Sequence, residues 1–147
     1  MINVYFLKKI LIYKIIFLKK IIKRIVKLEK KNIYRINYIF CNNKYILGIN
    51  QRFFKKKEYT DTITFNYITS KKKIIFGDIF ISIDQVYFNS YIWKVNFQKE
   101  VKRVIIHSLL HLLGYNDNNL INKKLMIFKE NFYINKLKKI IIKYENI

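Results

Sequence analysis

The apolar residues of this chain change their spacing along its length, and the order of those changes restricts the fold more than any other feature. Two stretches, TITFNYI (62–68) and IIFGDIFISI (74–83), are β-branched and aromatic and read as strands. NIYRINYIF (32–40) reads as a third strand through its partial alternation, and the short apolar run Ile2–Phe6 as a fourth. Elsewhere the apolar positions recur at the helical period. That spacing predicts a long amphipathic helix over Lys9–Leu28 and a short one over Asn43–Phe53. Helical structure resumes at Gln85, breaks near Trp93–Asn96, and continues as a helix over Gln98–Leu113. A last basic helix covers Lys123–Lys143, while FKKKEY (54–59) and Ser70–Lys73 read as exposed connections. Neither an internal repeat nor a Pro/Gly/Ser linker interrupts this order. About four strands among about five helices predict an α+β (α/β-like) architecture, a mixed sheet with helices packed on it, in one domain over residues 1–147.

With 52% apolar residues there is ample material for a core. A net charge of +21 is compatible with a polyanionic partner such as nucleic acid. The chain lacks alanine and proline and leans on Ile, Lys, Asn, Tyr and Phe, the residues that AT-rich codons encode. Part of the charge is therefore a codon default, permissive of nucleic-acid binding without being diagnostic of it. Cys41 stands alone, which excludes a disulfide framework and points to a reducing, cytoplasmic setting with a buried structural thiol. The N-terminal run VYFLKKILIYKIIFLKKIIKRIVKLEKK is broken by lysine every few residues, short of the roughly 20 apolar residues a membrane span needs. Its apolar face is expected to pack in the core with lysines turned outward; the alternative is a basic helix lying on an anionic membrane. Trp93 and Tyr115 are expected to be packing residues.

The chemistry is concentrated in HSLLHLLGYND (107–117), which contains both histidines of the chain. Residues i and i+4 of a helix share one face, so His107 and His111 project side by side, as two ligands of one metal ion must. Such a pair also occurs as hydrogen-bonded core residues. A metalloprotease of the H-E-x-x-H type is disfavoured, because the position of its general base is Ser108. Gly114 ends the helix as a left-handed C′ residue and turns the chain back, making Asp117 the candidate third ligand. Three protein ligands with an open fourth position describe a catalytic zinc site. Asp61 and Asp78, each followed by an apolar strand pattern, are either polar groups near the cleft or carboxylates serving backbone N–H groups at strand ends.

HSLLHLLGYND resembles the H-G-x-L-H-L-x-G-Y-D-H signature of the YbeY family, in register at His107, Leu110, His111, Leu112, Gly114 and Tyr115. YTDTITFNY is similar to that family's P-T-D-V-L-S-F-P segment through Thr60, Asp61 and Phe65, and GDIFIS to its G-D-I-x-I strand through Gly77, Asp78, Ile79 and Ile81. ILGINQRFF resembles its L-N-x-x-Y/F helix end through Asn50 and Phe53, so the likeness spans roughly residues 33–135.

The resemblance implies a zinc-dependent, single-strand-specific endoribonuclease of rRNA maturation, acting in 16S 3′-end processing and ribosome biogenesis. One Zn²⁺ would be held by His107, His111 and Asp117. A zinc-bound water would be the catalytic group, with no protein base assigned. Gly114, Asp61 and Asp78 would support the site, Arg52, Lys55, Lys56 and Lys57 would contact RNA, and rRNA or the small ribosomal subunit would be the partner. Three of the departures from the family pattern bear on the chemistry. Asp117 stands where a third histidine is usual, Ser108 where the signature has glycine, and Phe54 where an arginine follows the helix-end asparagine. The last departure motivates an alternative, a ribosome- or rRNA-binding assembly factor of the same fold with weak nuclease activity.

Overall fold

The computed structural model describes residues 1–6, 15–69 and 71–138, with the side chains of residues 15–17 excepted. In chain order its elements are β1 (Ile2–Phe6), α1 (Ile15–Leu28), β2 (Asn32–Cys41), α2 (Asn43–Phe54), β3 (Thr62–Asn66), β4 (Ile74–Ser82), α3 (Ile83–Ile92), α4 (Phe97–Leu112) and α5 (Leu120–Lys136). The strands form one mixed sheet in the order β1-β2-β4-β3. β1 and β4 lie parallel to β2, and β3 pairs antiparallel with β4 as an edge strand. The α+β architecture read from the sequence is therefore the one observed. Two expected stretches, the start of the first helix (9–14) and the end of the last (139–143), lie outside the described residues.

Alternation along the central strands divides the core. Ile36, Tyr38 and Phe40 of β2, with Ile75, Ile79 and Ile81 of β4, face α1, α4 and α5 in one large cluster. The opposite face is thinner, with Cys41, Ile46 and Ile63 packed beneath α2. Cys41 is free and buried, and burial pushes its thiol up to about 12, so it is an inert core group. Helix α1 buries Leu18, Ile21, Ile22, Ile25 and Val26, the core packing expected of the basic N-terminal segment. No described helix is long and apolar enough to cross a membrane.

Two local devices seat α4 on the sheet. A Cβ on Gly77 would collide with the Phe65 carbonyl oxygen of β3 and press on the Leu112 side chain of α4, so glycine is required where the end of α4 packs over β4 and β3. Ser108 is fully buried and donates its hydroxyl to the Ile105 carbonyl at 2.9 Å, which also accepts from the Tyr38 hydroxyl at 3.2 Å. A small side chain suits position 108, because the Tyr38 hydroxyl from β2 reaches the same carbonyl and position 108 is fully buried.

Helix α5 begins three residues before the expected Lys123, because the Asn119 side chain accepts from the Asn122 N–H at 2.8 Å and caps the helix at Leu120. Trp93 departs from expectation more sharply. It is the C-cap of α3 and is 70% exposed rather than packed.

Candidate metal centre

The histidines lie on the last two turns of α4, and the helix ends in a Schellman-type exit. Gly114 takes φ 107°, its N–H donates to the His111 carbonyl at 3.0 Å, and the Tyr115 N–H reaches the Leu110 carbonyl at 3.0 Å. Two side chains from elsewhere serve the last carbonyls: Asn66 Nδ2 donates to Leu112 at 3.1 Å and Lys31 Nζ to Leu113 at 3.1 Å. Beyond the turn, Asn116 Oδ1 accepts from Asn122 Nδ2 at 2.6 Å and ties the loop to the first turn of α5. The loop so fixed returns Asp117 to the histidine pair.

His107 Nε2 and His111 Nε2 are 3.0 Å apart, and Asp117 Oδ2 lies 3.8 Å from the first and 3.7 Å from the second. The remaining ring nitrogens are already engaged. His111 Nδ1 meets the Tyr115 carbonyl at 3.1 Å, and His107 Nδ1 meets Glu130 Oε1 in a short contact. A carbonyl or carboxylate oxygen only accepts, so both Nδ1 atoms are the N–H donors, and in the neutral rings that bind metal both Nε2 atoms carry lone pairs. Two lone pairs face each other with a carboxylate beside them, an arrangement that is repulsive unless a cation lies between. A tetrahedral ion with bonds of about 2.0–2.1 Å spaces its ligand atoms by about 3.3 Å, which the three observed separations bracket. The cluster His107, His111 and Asp117 is thus able to hold a metal ion, and among the described residues it is the group of His, Cys, Asp or Glu side chains so arranged. Burial, reinforced by the neighbouring His107, holds the His111 imidazole below its ordinary pKa of 6.5, favouring the neutral form that a metal needs.

A cleft of about 620 Å³ opens over these atoms. Its walls include Asn50, Phe54, Lys56 and Glu58 from the end of α2 and the loop after it, Thr60–Thr64 and Asn66 around β3, and Gly114–Asp117. Of the expected RNA-contacting residues, Lys56 lines this cleft, whereas Arg52 borders a separate depression with Asn42, Lys44 and Tyr45. Lys55 and Lys57 are exposed on either side of Lys56, and Lys55 takes the left-handed backbone that ends α2. Phe54 lines the cleft with its ring stacked on Phe65, centroids 5.9 Å apart. Asp61 also lines the cleft and reaches Arg103 Nη2 at 3.5 Å. Asp78 is not brought to the cluster. Its carboxylate accepts from Asn37 Nδ2 at 2.7 Å and from the Tyr67 hydroxyl at 2.6 Å on the sheet. Neither aspartate side chain bonds a strand-end backbone N–H.

Sequence reasoning missed the groups that hold the histidines. Glu130 on α5 and Glu100 on α4 are buried, and Arg103, one turn before His107, lies between them. Glu29, just past α1, accepts from the hydroxyls of Tyr115, at 2.8 Å, and Tyr133, and from Lys129 Nζ at 2.9 Å. Tyr115, expected only to pack, is thereby anchored by its ring while its carbonyl orients His111. A usable signal existed: only nine residues are acidic, and Glu130 sits at helical spacing between the apolar Met126 and Tyr133.

Comparison with known proteins is consistent with this geometry. The family model described as Endoribonuclease YbeY matches residues 9–138. The Endoribonuclease YbeY of Karelsulcia muelleri is 43% identical over 139 residues, which cover 95% of this chain and 97% of the relative. That of Cytophaga hutchinsonii is 45% identical over 106 residues, 72% of this chain and 73% of the relative. Among solved structures, the solution structure of TM1509 from Thermotoga maritima is similar with a TM-score of 0.67 and 29% identity, over 91% of this chain and 87% of that one.

Proposed function

The chain belongs to the Endoribonuclease YbeY family, and on that footing we propose that it is a zinc-dependent, single-strand-specific endoribonuclease of rRNA maturation, acting in the cytoplasm on the 3′ end of 16S rRNA during assembly of the small ribosomal subunit. The observation that carries the proposal is the pair of Nε2 atoms turned toward each other beside Asp117.

His107, His111 and Asp117 would hold the ion, and Zn²⁺ suits a set of two neutral imidazoles and one carboxylate. Bound there, zinc supplies Lewis acidity toward a phosphoryl oxygen and draws the pKa of water toward neutrality. The chain's own residues do the rest. The ligand set leaves one net positive charge on a divalent ion, which favours an anionic substrate at the cleft. Lys56 on the wall adds a second positive charge for a phosphate of the RNA backbone. An open cleft beside an edge strand accommodates an unpaired strand more readily than a duplex.

A specific observation favours the second reading, a ribosome-binding assembly factor with weak nuclease activity. Phe54 lines the cleft where the family pattern has arginine, and the nearest arginine in sequence, Arg52, lies at the other depression. Elemental analysis of the purified protein is expected to give about one zinc per chain, reduced in Asp117→Ala. Cleavage of single-stranded RNA by the wild type, lost in His111→Ala, supports the enzyme reading. RNA binding with no cleavage by the zinc-loaded wild type would favour the assembly factor.

A further inference from the structure

Helix α5 turns its apolar face inward through Met126, Tyr133 and, after its end, Leu137, and in the middle of that face stands a carboxylate, Glu130, only 6% exposed. A buried carboxylate is costly unless it is paired and hydrogen-bonded, so its partners show what it is for. Its Oε1 accepts the His107 Nδ1–H and lies 3.8 Å from Arg103 Nη1. Arg103 is itself gripped by Glu100, through Nε at 3.0 Å to each oxygen and Nη2 at 2.7 Å to Oε1, and reaches Asp61 Oδ2 at 3.5 Å. The guanidinium therefore joins α4, the residue before β3 and α5 at one point beside His107. Burial disfavours its charge, but hydrogen bonding to Glu100 and the charges of Glu100, Glu130 and Asp61 outweigh that and raise its pKa.

We propose that Glu130 is the positioning residue of the metal centre, holding His107 in the Nδ1–H form with Nε2 toward the ion, and that Arg103 holds Glu130 in place for this task. This inference rests on the reading of His107, His111 and Asp117 as the metal cluster.

Which nitrogen of an imidazole keeps its proton is set by the partner of the other. At His107 the acceptor for Nδ1 is a side chain from a different helix, where His111 uses a carbonyl just past its own. Without that acceptor the His107 ring is free to place its proton on Nε2 or to rotate, and either change removes the lone pair from the cluster. Groups orienting a metal-ligating histidine in this way typically contribute about 10–100-fold in metal affinity. Arg103 acts through Glu130 rather than on substrate: the cleft walls do not include it, and three carboxylates already surround it.

The chain contains only two histidines, which makes the test direct. In the full-length, metal-free protein with ¹⁵N-labelled histidine, long-range ¹H–¹⁵N spectra at about pH 8 report the tautomer of each ring. The wild type is expected to show Nδ1–H at both. In Glu130→Leu, His107 is expected to lose that preference while His111, held by a backbone carbonyl, keeps it. Glu130→Gln, whose amide both donates and accepts, is expected to give a mixture at His107. Zn²⁺ and Co²⁺ affinities are expected to fall about 10–100-fold in Glu130→Leu and less in Glu130→Gln. Arg103→Lys, which keeps a charge without the fork, is expected to give a smaller loss of affinity.

A His107 that keeps Nδ1–H in a folded Glu130→Leu protein would overturn the proposal, as would an unchanged metal affinity. Because the tautomer is read without metal, failure of the wild type to take up either ion is a distinct result: it refutes the metal reading, while the spectra still decide what Glu130 does.

Discussion

His107 and His111 leave one face of one helix a turn apart, yet the fold holds them by unlike means. The first is held by a side chain, the Glu130 carboxylate, and through it by a network of buried charges around Arg103. The second is held by backbone, the Tyr115 carbonyl, whose place depends on the left-handed turn at Gly114. The difference separates two kinds of fragility. A charge network is lost abruptly when one member goes, because the others remain buried without a partner. A backbone acceptor tolerates side-chain changes around it and fails only when the chain path itself is altered.

The sharpest way to break the comparison is on the side of His107. Arg103→Ala leaves Glu100 and Glu130, 3% and 6% exposed, without their cation. A loss of about 3–5 kcal/mol is expected, the usual effect of breaking a buried pair from one side. Urea unfolding of the metal-free protein measures it, and a loss below about 1 kcal/mol would mean that water reaches these carboxylates and the network is no network.

On the side of His111 the corresponding cut is Gly114→Ala. At φ 107° an L side chain is strained, and a cost of about 1–3 kcal/mol is expected. Metal affinity should fall with it, because relief of the strain moves the Tyr115 carbonyl away from His111 Nδ1. Isothermal titration with Zn²⁺ beside urea unfolding separates the two effects. Loss of stability with affinity intact would show that His111 needs no help from the turn.

Tyr115→Phe refines the comparison with a smaller change. It removes one hydrogen bond to Glu29, and about 1–2 kcal/mol of stability, but leaves the carbonyl acceptor in the backbone. Metal affinity is expected to stay within about twofold of wild type, unlike the larger loss expected for Glu130→Leu. Equal losses in the two variants would erase the distinction between side-chain and backbone control.

The same contrast explains what was legible in the sequence. Period switching identifies the strands and most of the helices, since burial on one face imposes it whatever the rest of the chain does. The i, i+4 histidines, the glycine exit and Asp117 were legible as a local unit because all lie within eleven residues of one another, HSLLHLLGYND. The supports were not, because Glu29, just past α1, and Glu130, on α5, approach the site from outside that segment, and pattern reading treats a charged residue in or beside a helix as solvent-facing. Asp78 misleads for the same reason. A carboxylate in a strand resembles a cleft residue in sequence, whereas its face of the sheet gives it Asn37 and Tyr67 instead. Trp93 reads as a packing residue by its type alone, and the end of α3 leaves it in solvent.

The smallest effect expected is a pH dependence that belongs to the side of His111. Burial alone would raise the carboxyl of Glu29, but hydrogen bonds from Tyr133, Lys129 and Tyr115 bring it below its ordinary 4.5. Above 4.5 its contribution to stability is fully present. As pH falls through the depressed folded value the unfolded chain binds the proton more readily and the contribution is lost. His111 acts in the same direction in a higher window. Its folded pKa lies below 6.5, so between those values the unfolded chain again holds more protons and stability declines on acidification. Urea midpoints of the metal-free protein, followed downward from neutral pH, should therefore fall in two stages. His111→Asn should flatten the upper stage and Glu29→Gln the lower. If Glu29→Gln leaves the lower stage unchanged, Glu29 is not the group that titrates, and the anchoring of Tyr115 must be sought in the packing of its ring.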